Sequence, residues 1–246
     1  MSVPKSTTRI GMLTPSSNTV LEPTTQAIID PLPDVTAHFS RLKVTEISLN
    51  ARGLAQFELT PFMQVADLLA DAYMHAITWN GTSAAWRGFH EDEVLAKAIE
   101  DKHGVPATAS MLAINAIMRA DGITRFGLVT PYNNDVQTRI QQNYEAAGFT
   151  IAAERHTGVT TNYDFAEIEA EPIRKMVRDV AAAGPECIVI ICTNLRSAPL
   201  VAELEQELDI PILDSTSAVV WHTLKLVGAR PSRCGRKWGR LFEQDS

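Results

Sequence analysis

Ile10-Gly-Met-Leu-Thr-Pro-Ser-Ser-Asn-Thr-Val20 and Phe126-Gly-Leu-Val-Thr-Pro-Tyr-Asn-Asn-Asp-Val136 are two copies of one pattern. Gly11/Gly127, Thr14/Thr130, Pro15/Pro131, Asn18/Asn134 and Val20/Val136 are identical, and the apolar positions agree in kind. Each copy ends a strand-like run with Thr-Pro and then opens a helical pattern. A weaker correspondence follows at a similar offset: Trp79-Asn-Gly81-Thr82-Ser83 in the first half and Ile190-Ile-Cys192-Thr193-Asn194 in the second. The repeat implies two α/β halves related by a pseudo-twofold axis, with the boundary near Ala120–Arg125. Residues 1–122 with 215–246 form the first half, and 123–214 form the second. The expected site is the cleft between them, where the four turns converge.

The rest of the chain agrees with this reading. Arg9–Leu13, Val35–Leu42, His75–Trp79, Arg125–Val129, Ile151–Glu154, Cys187–Ile191 and Pro211–Leu213 read as strands. Helical patterns lie between them: Phe62–Tyr73, Asp92–Lys102, Met111–Arg119 with Ser110 as its cap, Asp135–Ala147, Glu171–Ala183, Ala198–Leu208 and Ser215–Val227. Strand and helix in alternation predict parallel sheets. Ligands of such sheets bind beyond the carboxyl ends of the strands, so the turns after the strands are where chemistry is expected.

Composition excludes several classes. The chain has 246 residues, enough for one large domain or two small halves. Its net charge of −7 disfavours nucleic acid, whose phosphates need clustered Lys and Arg. Arg230, Arg233, Arg236, Lys237 and Arg240 do cluster, but they read as a solvated tail. No apolar run reaches the roughly 18 residues of a membrane span, and Met1 to Thr8 is polar without a secretory core, so the expected location is the cytoplasm. The three cysteines form no CxxC pair, and the six histidines form no HxH or HxxxH pair. Neither a disulfide framework nor a metal site is expected. GxGxxG, GxxxxGK[ST] and GxSxG are absent, which leaves nucleotide binding and serine hydrolysis without their signatures.

The turns hold the candidate chemistry. Cys192 ends a buried-looking strand and precedes Thr193, Asn194 and an expected helix start, whose N–H groups favour an anion. A cysteine in a strand is by itself more often a core residue, and Cys187 fits that role better. Gly81-Thr82-Ser83 offers two hydroxyls, and Gly81 is read as leaving a gap at the cleft. The plain alternative is an ordinary capped turn. Tyr132 can donate a phenolic hydrogen bond or simply pack its ring. Pro15, Ser16, Ser17 and Asn18 supply the matching first-half turn, and Asn18 and Thr19 could serve only as helix caps. Donors without an acid among them suit a bound carboxylate or an enediolate. Arg41 could clamp a second carboxylate or lie on the surface, and Asn162 could line the cleft.

On these residues the chain resembles the aspartate/glutamate racemase superfamily, in its branch of arylmalonate decarboxylases and maleate cis-trans isomerases. The marks are Gly11-Met-Leu-Thr-Pro15, Gly81-Thr-Ser83, Thr130-Pro-Tyr132 with Asp135-Val136, Cys192, and the closing Gly239-Arg-Leu-Phe242. The resemblance runs from about Arg9 to Phe242. It implies two Rossmann-like parallel-sheet halves and no cofactor. The family's racemases and isomerases carry a cysteine in each half; here the first-half position resembles Gly81 and only Cys192 remains, as in the decarboxylases. The resemblance therefore implies a cofactor-independent decarboxylase of a malonate-type acid, with or without an aryl substituent, with Cys192 protonating an enediolate held by Thr82, Ser83, Tyr132, Thr193, Pro15, Ser16 and Asn18. Ser16 to Thr19, Arg41 and Asn162 look more isomerase-like, which keeps an isomerase or racemase of a small dicarboxylate as the alternative. A non-catalytic carboxylate-binding protein is the third reading. The expected partner is a small carboxylic acid, with the chain a monomer or small homo-oligomer.

Overall fold

The fold is that of a computed structural model, which describes residues 7–245. Most of the polar start read above lies outside the described residues. The described residues form eight strands: β1 (Thr8–Pro15), β2 (Val35–Leu42), β3 (Ala76–Trp79), β4 (Ala107–Ala109), β5 (Arg125–Thr130), β6 (Thr150–His156), β7 (Cys187–Ile190) and β8 (Ile212–Asp214). The helices are α1 (Leu21–Ile29), α2 (Ala51–Ala55), α3 (Leu59–Ala70), α4 (Ala84–Arg87), α5 (His90–His103), α6 (Ser110–Ala120), α7 (Asn134–Ala146), α8 (Ala170–Ala181), α9 (Val201–Leu208) and α10 (Ser215–Leu226). The strands form two four-stranded sheets, ordered β2-β1-β3-β4 and β6-β5-β7-β8, with every pairing parallel. The two orders are the same path taken twice. The predicted α/β architecture of two parallel-sheet halves is therefore present.

In each sheet the chain reverses direction between the first and third strands of its half. That switch point opens a crevice beyond the strand ends, the usual ligand position of a doubly wound sheet. The Pro15 and Gly81 turns flank it in the first sheet, and the Tyr132 and Cys192 turns flank it in the second.

The repeat glycines let helices lie close on the central strands. A Cβ at Gly127 would meet Val180 Cγ1 of α8 at 2.1 Å, and one at Gly11 would meet Met74 Cγ at 3.0 Å and Leu69 Cδ1 at 3.2 Å. Helix α8 buries Ile173, Met176, Val177 and Val180, the i, i+3, i+4, i+7 stripe of an amphipathic helix. Helix α10 follows β8 but packs against α1, α6 and β3, and it is buried along nearly its whole length. Its Thr223 meets Thr78 of β3 hydroxyl to hydroxyl at 2.9 Å.

The structure departs from the sequence reading in local detail. Strand β4 is only three residues long, too short to leave a period in the sequence. Ser110 is not a cap: α6 is preceded by Ala109 in extended conformation, and the Ser110 hydroxyl donates to the Trp79 carbonyl at 3.5 Å. No helix starts directly after Cys192; a turn leads to a short 3-10 segment, Ala198–Leu200, and then α9. In the basic tail, Arg230, Arg233, Arg236 and Arg240 pair with Asp245, Asp34, Glu243 and Asp209. No helix among the described residues is long and apolar enough to cross a membrane.

The glycine contacts yield a differential prediction. Val180 is β-branched and held to one rotamer in its helix, so it yields poorly. Gly127→Ala should cost about 1–3 kcal/mol of stability by overpacking. Gly11→Ala should cost less, because the ends of Met74 and Leu69 are flexible. Urea unfolding midpoints of the two variants compare them directly, and equal losses would contradict this packing argument.

Candidate active site

Backbone hydrogen bonds establish which turns correspond. Asn80 N–H donates to the Leu13 carbonyl at 3.0 Å, and Ile191 N–H donates to the Val129 carbonyl at 2.9 Å. Leu13 and Val129 hold the same place in the repeat, so Asn80 matches Ile191 and Gly81 matches Cys192. A second pair agrees: Ser110 donates to Trp79 O, and Ser215 donates to Ile190 O at 2.6 Å. Ser215 Oγ also accepts the Cys192 N–H at 2.9 Å, which pins the cysteine backbone to the start of α10.

The Cys192 side chain is 2 % exposed. The Asn194 amide and the Tyr132 hydroxyl lie where they favour charge on its sulfur, and the Leu195 N–H closes the turn on the Cys192 carbonyl at 3.2 Å. Tyr132 is also hydrogen bonded to Thr82 Oγ1 at 2.7 Å. Either hydroxyl can be the donor in that bond. A chain Thr82–Tyr132–Cys192 thus crosses from one half to the other. Both readings of Tyr132 hold, because its ring also packs edge-on against Trp86 and Phe165.

Burial pushes the Cys192 thiol up to about 12, against the Asn194 amide, the Tyr132 hydroxyl and the Leu195 amide, which favour the thiolate; buried Asp214 adds to the rise. Desolvation outweighs the donors, so Cys192 is a protonated thiol at neutral pH. Burial likewise raises the Tyr132 phenol, with Cys192 as the next cause.

A second network ties the polar turns together. Asn18 Oδ1 accepts from the Val20 and Leu21 amides, both at 2.9 Å, and so caps α1. Its Nδ2 donates to Thr193 Oγ1 at 3.1 Å, and Thr193 donates to the Asn80 carbonyl at 2.9 Å. Asn194 accepts from Thr19 N–H at 3.0 Å and donates to the Asn162 carbonyl at 2.5 Å. Asn162 Nδ2 donates to Ser17 Oγ at 2.7 Å. Above these groups, Ile47 N–H donates to Thr160 O and Asn162 N–H to Thr45 O, joining loops from the two halves as a roof.

The structure thus gathers Cys192, Thr82, Ser83, Tyr132, Thr193, Pro15, Asn18 and Asn162 around the two switch points. It decides the Arg41 alternatives in favour of the surface and corrects two expectations, at Ser16 and Gly81. Arg41 does not face the cleft: its guanidinium donates to the Ser16 and Asn18 carbonyls and pairs with Glu22 at 2.7 Å, on a side chain that is 43 % exposed. The Ser16 hydroxyl is engaged with the backbone of Val44, holding the β2 exit rather than pointing at Cys192. Gly81 leaves no gap, because a Cβ there would fall 2.1 Å from Cζ2 of the Trp79 indole. Sequence reasoning also missed the site roles of Ser215, Trp79 and Asn194. Ser110 and Ser215 both follow strands directly, and that parallel was the available signal for Ser215.

A family profile described as arylmalonate decarboxylase matches residues 10–242. The chain belongs to this family. It is 25 % identical over 247 residues to a maleate isomerase of Nocardia farcinica, covering 97 % of this chain and 96 % of that protein. It is 27 % identical over 171 residues to an arylmalonate decarboxylase of Bordetella bronchiseptica, covering 67 % and 69 %. Among solved structures, a cysteine-to-serine variant of the Nocardia farcinica maleate cis-trans isomerase with a covalently bound succinylcysteine intermediate superposes with a TM-score of 0.87 at 26 % identity, covering 97 % and 99 % of the two chains. A doubly substituted arylmalonate decarboxylase in its liganded form gives 0.83 at 24 % identity, covering 96 % and 99 %, a likeness of fold.

Burial raises Cys187 to about 12 and Cys234 to about 11. All three cysteines should therefore resist iodoacetamide in the folded protein at pH 8, with no reactivity midpoint below about pH 10. Peptide mapping by mass spectrometry across pH 6–10 reads this out. A Cys192 midpoint below 9 would show that the donors outweigh burial.

Proposed function

We propose that this chain is a cofactor-independent decarboxylase of malonate-type acids, in which Cys192 protonates an enediolate from one face. The observation that carries this reading is the asymmetry of the matched turns. A thiol held protonated stands at one, and a glycine backed by the Trp79 indole stands at the other. A racemase needs an acid/base on each face of a planar intermediate, and this site offers a thiol on one. An isomerase that attacks its substrate with sulfur needs a thiolate, which burial of Cys192 disfavours. A protonated thiol next to a developing carbanion is what the protonation step requires.

The sequence of events follows from the donors. One substrate carboxylate is held by Thr82, Ser83 and the Tyr132 hydroxyl, and Thr82 and Tyr132 exchange their mutual hydrogen bond for it. The second carboxylate leaves as CO2, and its bonding pair becomes the enediolate. The same donors stabilise the negative charge that builds on the retained oxygens. Cys192 then gives its proton to carbon, and the thiolate is reprotonated from solvent.

A second reading rests on the polar network of Asn18, Thr193, Asn194 and Asn162, which suits a small dicarboxylate, and on similarity to maleate isomerases over nearly the whole chain. One experiment separates the readings: methyl-phenylmalonate, maleate and aspartate are each incubated with wild type and Cys192→Ala in deuterated buffer and followed by NMR. The decarboxylase reading expects CO2 release with a single deuterium placed on one face, and a loss of at least about 10²-fold in the variant. Conversion of maleate to fumarate would overturn it in favour of the isomerase. Binding without turnover of any acid, unchanged in the variant, would identify a carboxylate-binding protein.

A further inference from the structure

The two halves cap their last helices differently. In the second half, Asp214 of β8 accepts from the Thr216 and Ser217 amides of α10, both at 2.9 Å, and its other oxygen takes the Ser197 hydroxyl at 2.5 Å. The matching first-half residue is Ala109, which has no carboxylate. Asp92 of α5 supplies one instead, accepting from the Met111 amide at the start of α6. Asp92 is 2 % exposed, and its Oδ2 has no partner. Nothing takes the place that Ser197 fills in the other half.

That oxygen borders a cavity of about 40 Å3 behind the Gly81 turn. Trp79, whose buried Nε1 is also without a partner, lines the same cavity, as do Ser83, Phe62 and the paired Arg87 and Glu91. The space is enough for a water, which needs two to four polar partners, and here the walls carry a carboxyl oxygen, an indole N–H and a serine. Ser83 belongs at once to this cavity and to the turn that faces Cys192.

We propose that this cavity holds a water joining Asp92 to Ser83, and that Asp92 is a positioning residue that stores a proton for the first half of the site. The inference rests on the enediolate reading above. When the enediolate forms, Ser83 passes its hydroxyl proton to the carboxylate oxygen. The water protonates Ser83, and Asp92 Oδ2–H protonates the water. The proton returns by the same path when Cys192 protonates carbon and the carboxylate re-forms. No electrons are exchanged, and Asp92 cycles between acid and carboxylate. The first half thereby contributes an acid although it has no thiol.

Burial raises the Asp92 carboxyl to about 8, opposed by the Met111 amide and Arg87, with Glu91 adding to the rise. Around it, α3 and β3 present Phe62 and Trp79, neither of which titrates, while α4 and α5 present Arg87 and Glu91, which pair with each other at 2.8 Å; Asp67 of α3 is engaged with Lys102 and His103 at the far end of α5. Asp92 is therefore the acid below about pH 8 and the carboxylate above it, so the relay should fail as pH rises through that value.

Carbon-13 NMR of aspartate-labelled protein tests the site without substrate. The carboxyl resonance lost in Asp92→Asn should titrate near pH 8, and its midpoint should move in both Trp79→Phe and Ser83→Ala. Should Asp92→Asn not fold, the resonance is assigned instead by its proximity to the Met111 amide. A midpoint in the ordinary carboxylate range, or one that ignores both variants, overturns the proposal. Kinetics on methyl-phenylmalonate then test the role: kcat should fall above about pH 8 in wild type. Asp92→Asn should lose that limb and about tenfold in kcat, with KM little changed. An unchanged pH profile in Asp92→Asn, with Cys192→Ala inactive, overturns the relay alone. Full activity in Cys192→Ala would overturn the underlying reading instead.

Discussion

The site depends on where two strands stop pairing with their central neighbours. The Asn80 to Leu13 and Ile191 to Val129 hydrogen bonds are the last that β3 and β7 share with β1 and β5. One residue later each chain is free of the ladder and turns across the crevice. Gly81 and Cys192 thus occupy the same geometric position, fixed by sheet register rather than by either residue's own preferences. A one-residue slip of β7 on β5 would turn Cys192 to the opposite face. The fully buried Ile188, Val189 and Ile190 hold that register through their packing.

From equal positions the two halves build unequal environments. In the second half the Asn194 amide favours charge on the sulfur, the Leu195 amide closes the turn on the Cys192 carbonyl, and Ser215 ties the cysteine backbone to α10. In the first half the indole of Trp79 covers the glycine and rests edge-on against Phe62 at 4.7 Å. A large aromatic at this position fills what a second thiol would need, so returning a cysteine there requires moving Trp79 as well. The absence of a thiol at this turn is therefore supported by the surrounding packing, and not confined to a single residue.

Much of this was legible in the sequence, for reasons that can be named. The Thr-Pro repeat gave both central strands and the symmetry, because strand ends and glycine contacts are local requirements that recur in each copy. Cys192 was legible because the second correspondence put it after a strand. What was not legible depends on side chains meeting across long separations. Arg41 lies on a strand whose neighbours are partly exposed, so alternation could not tell cleft from surface. The filling of Gly81 by Trp79 requires knowing which way an indole folds back. The direction of the Cys192 shift also turned on depth: the sequence shows the donors but not how completely the roof excludes water. Ser110 failed as a cap because the strand continues to Ala109 and turns its hydroxyl toward Trp79.

The closed site also constrains what it can admit. Thr82, Tyr132, Asn18, Thr193, Asn162 and Asn194 all have partners within the protein. A ligand enters by taking some of those donors away from each other. Each buried donor left unsatisfied costs about 1–3 kcal/mol, so a neutral or apolar molecule would pay that cost without return. A carboxylate is different: it accepts several hydrogen bonds at once, and charge-assisted bonds are roughly twice as strong as the neutral ones they replace. The gain grows further when the ligand's charge concentrates on its carboxylate oxygens, as it does in an enediolate. In the proposed reaction, the internal hydrogen bonds that keep this site ordered are thus also the basis for selecting an anion, and among anions the enediolate.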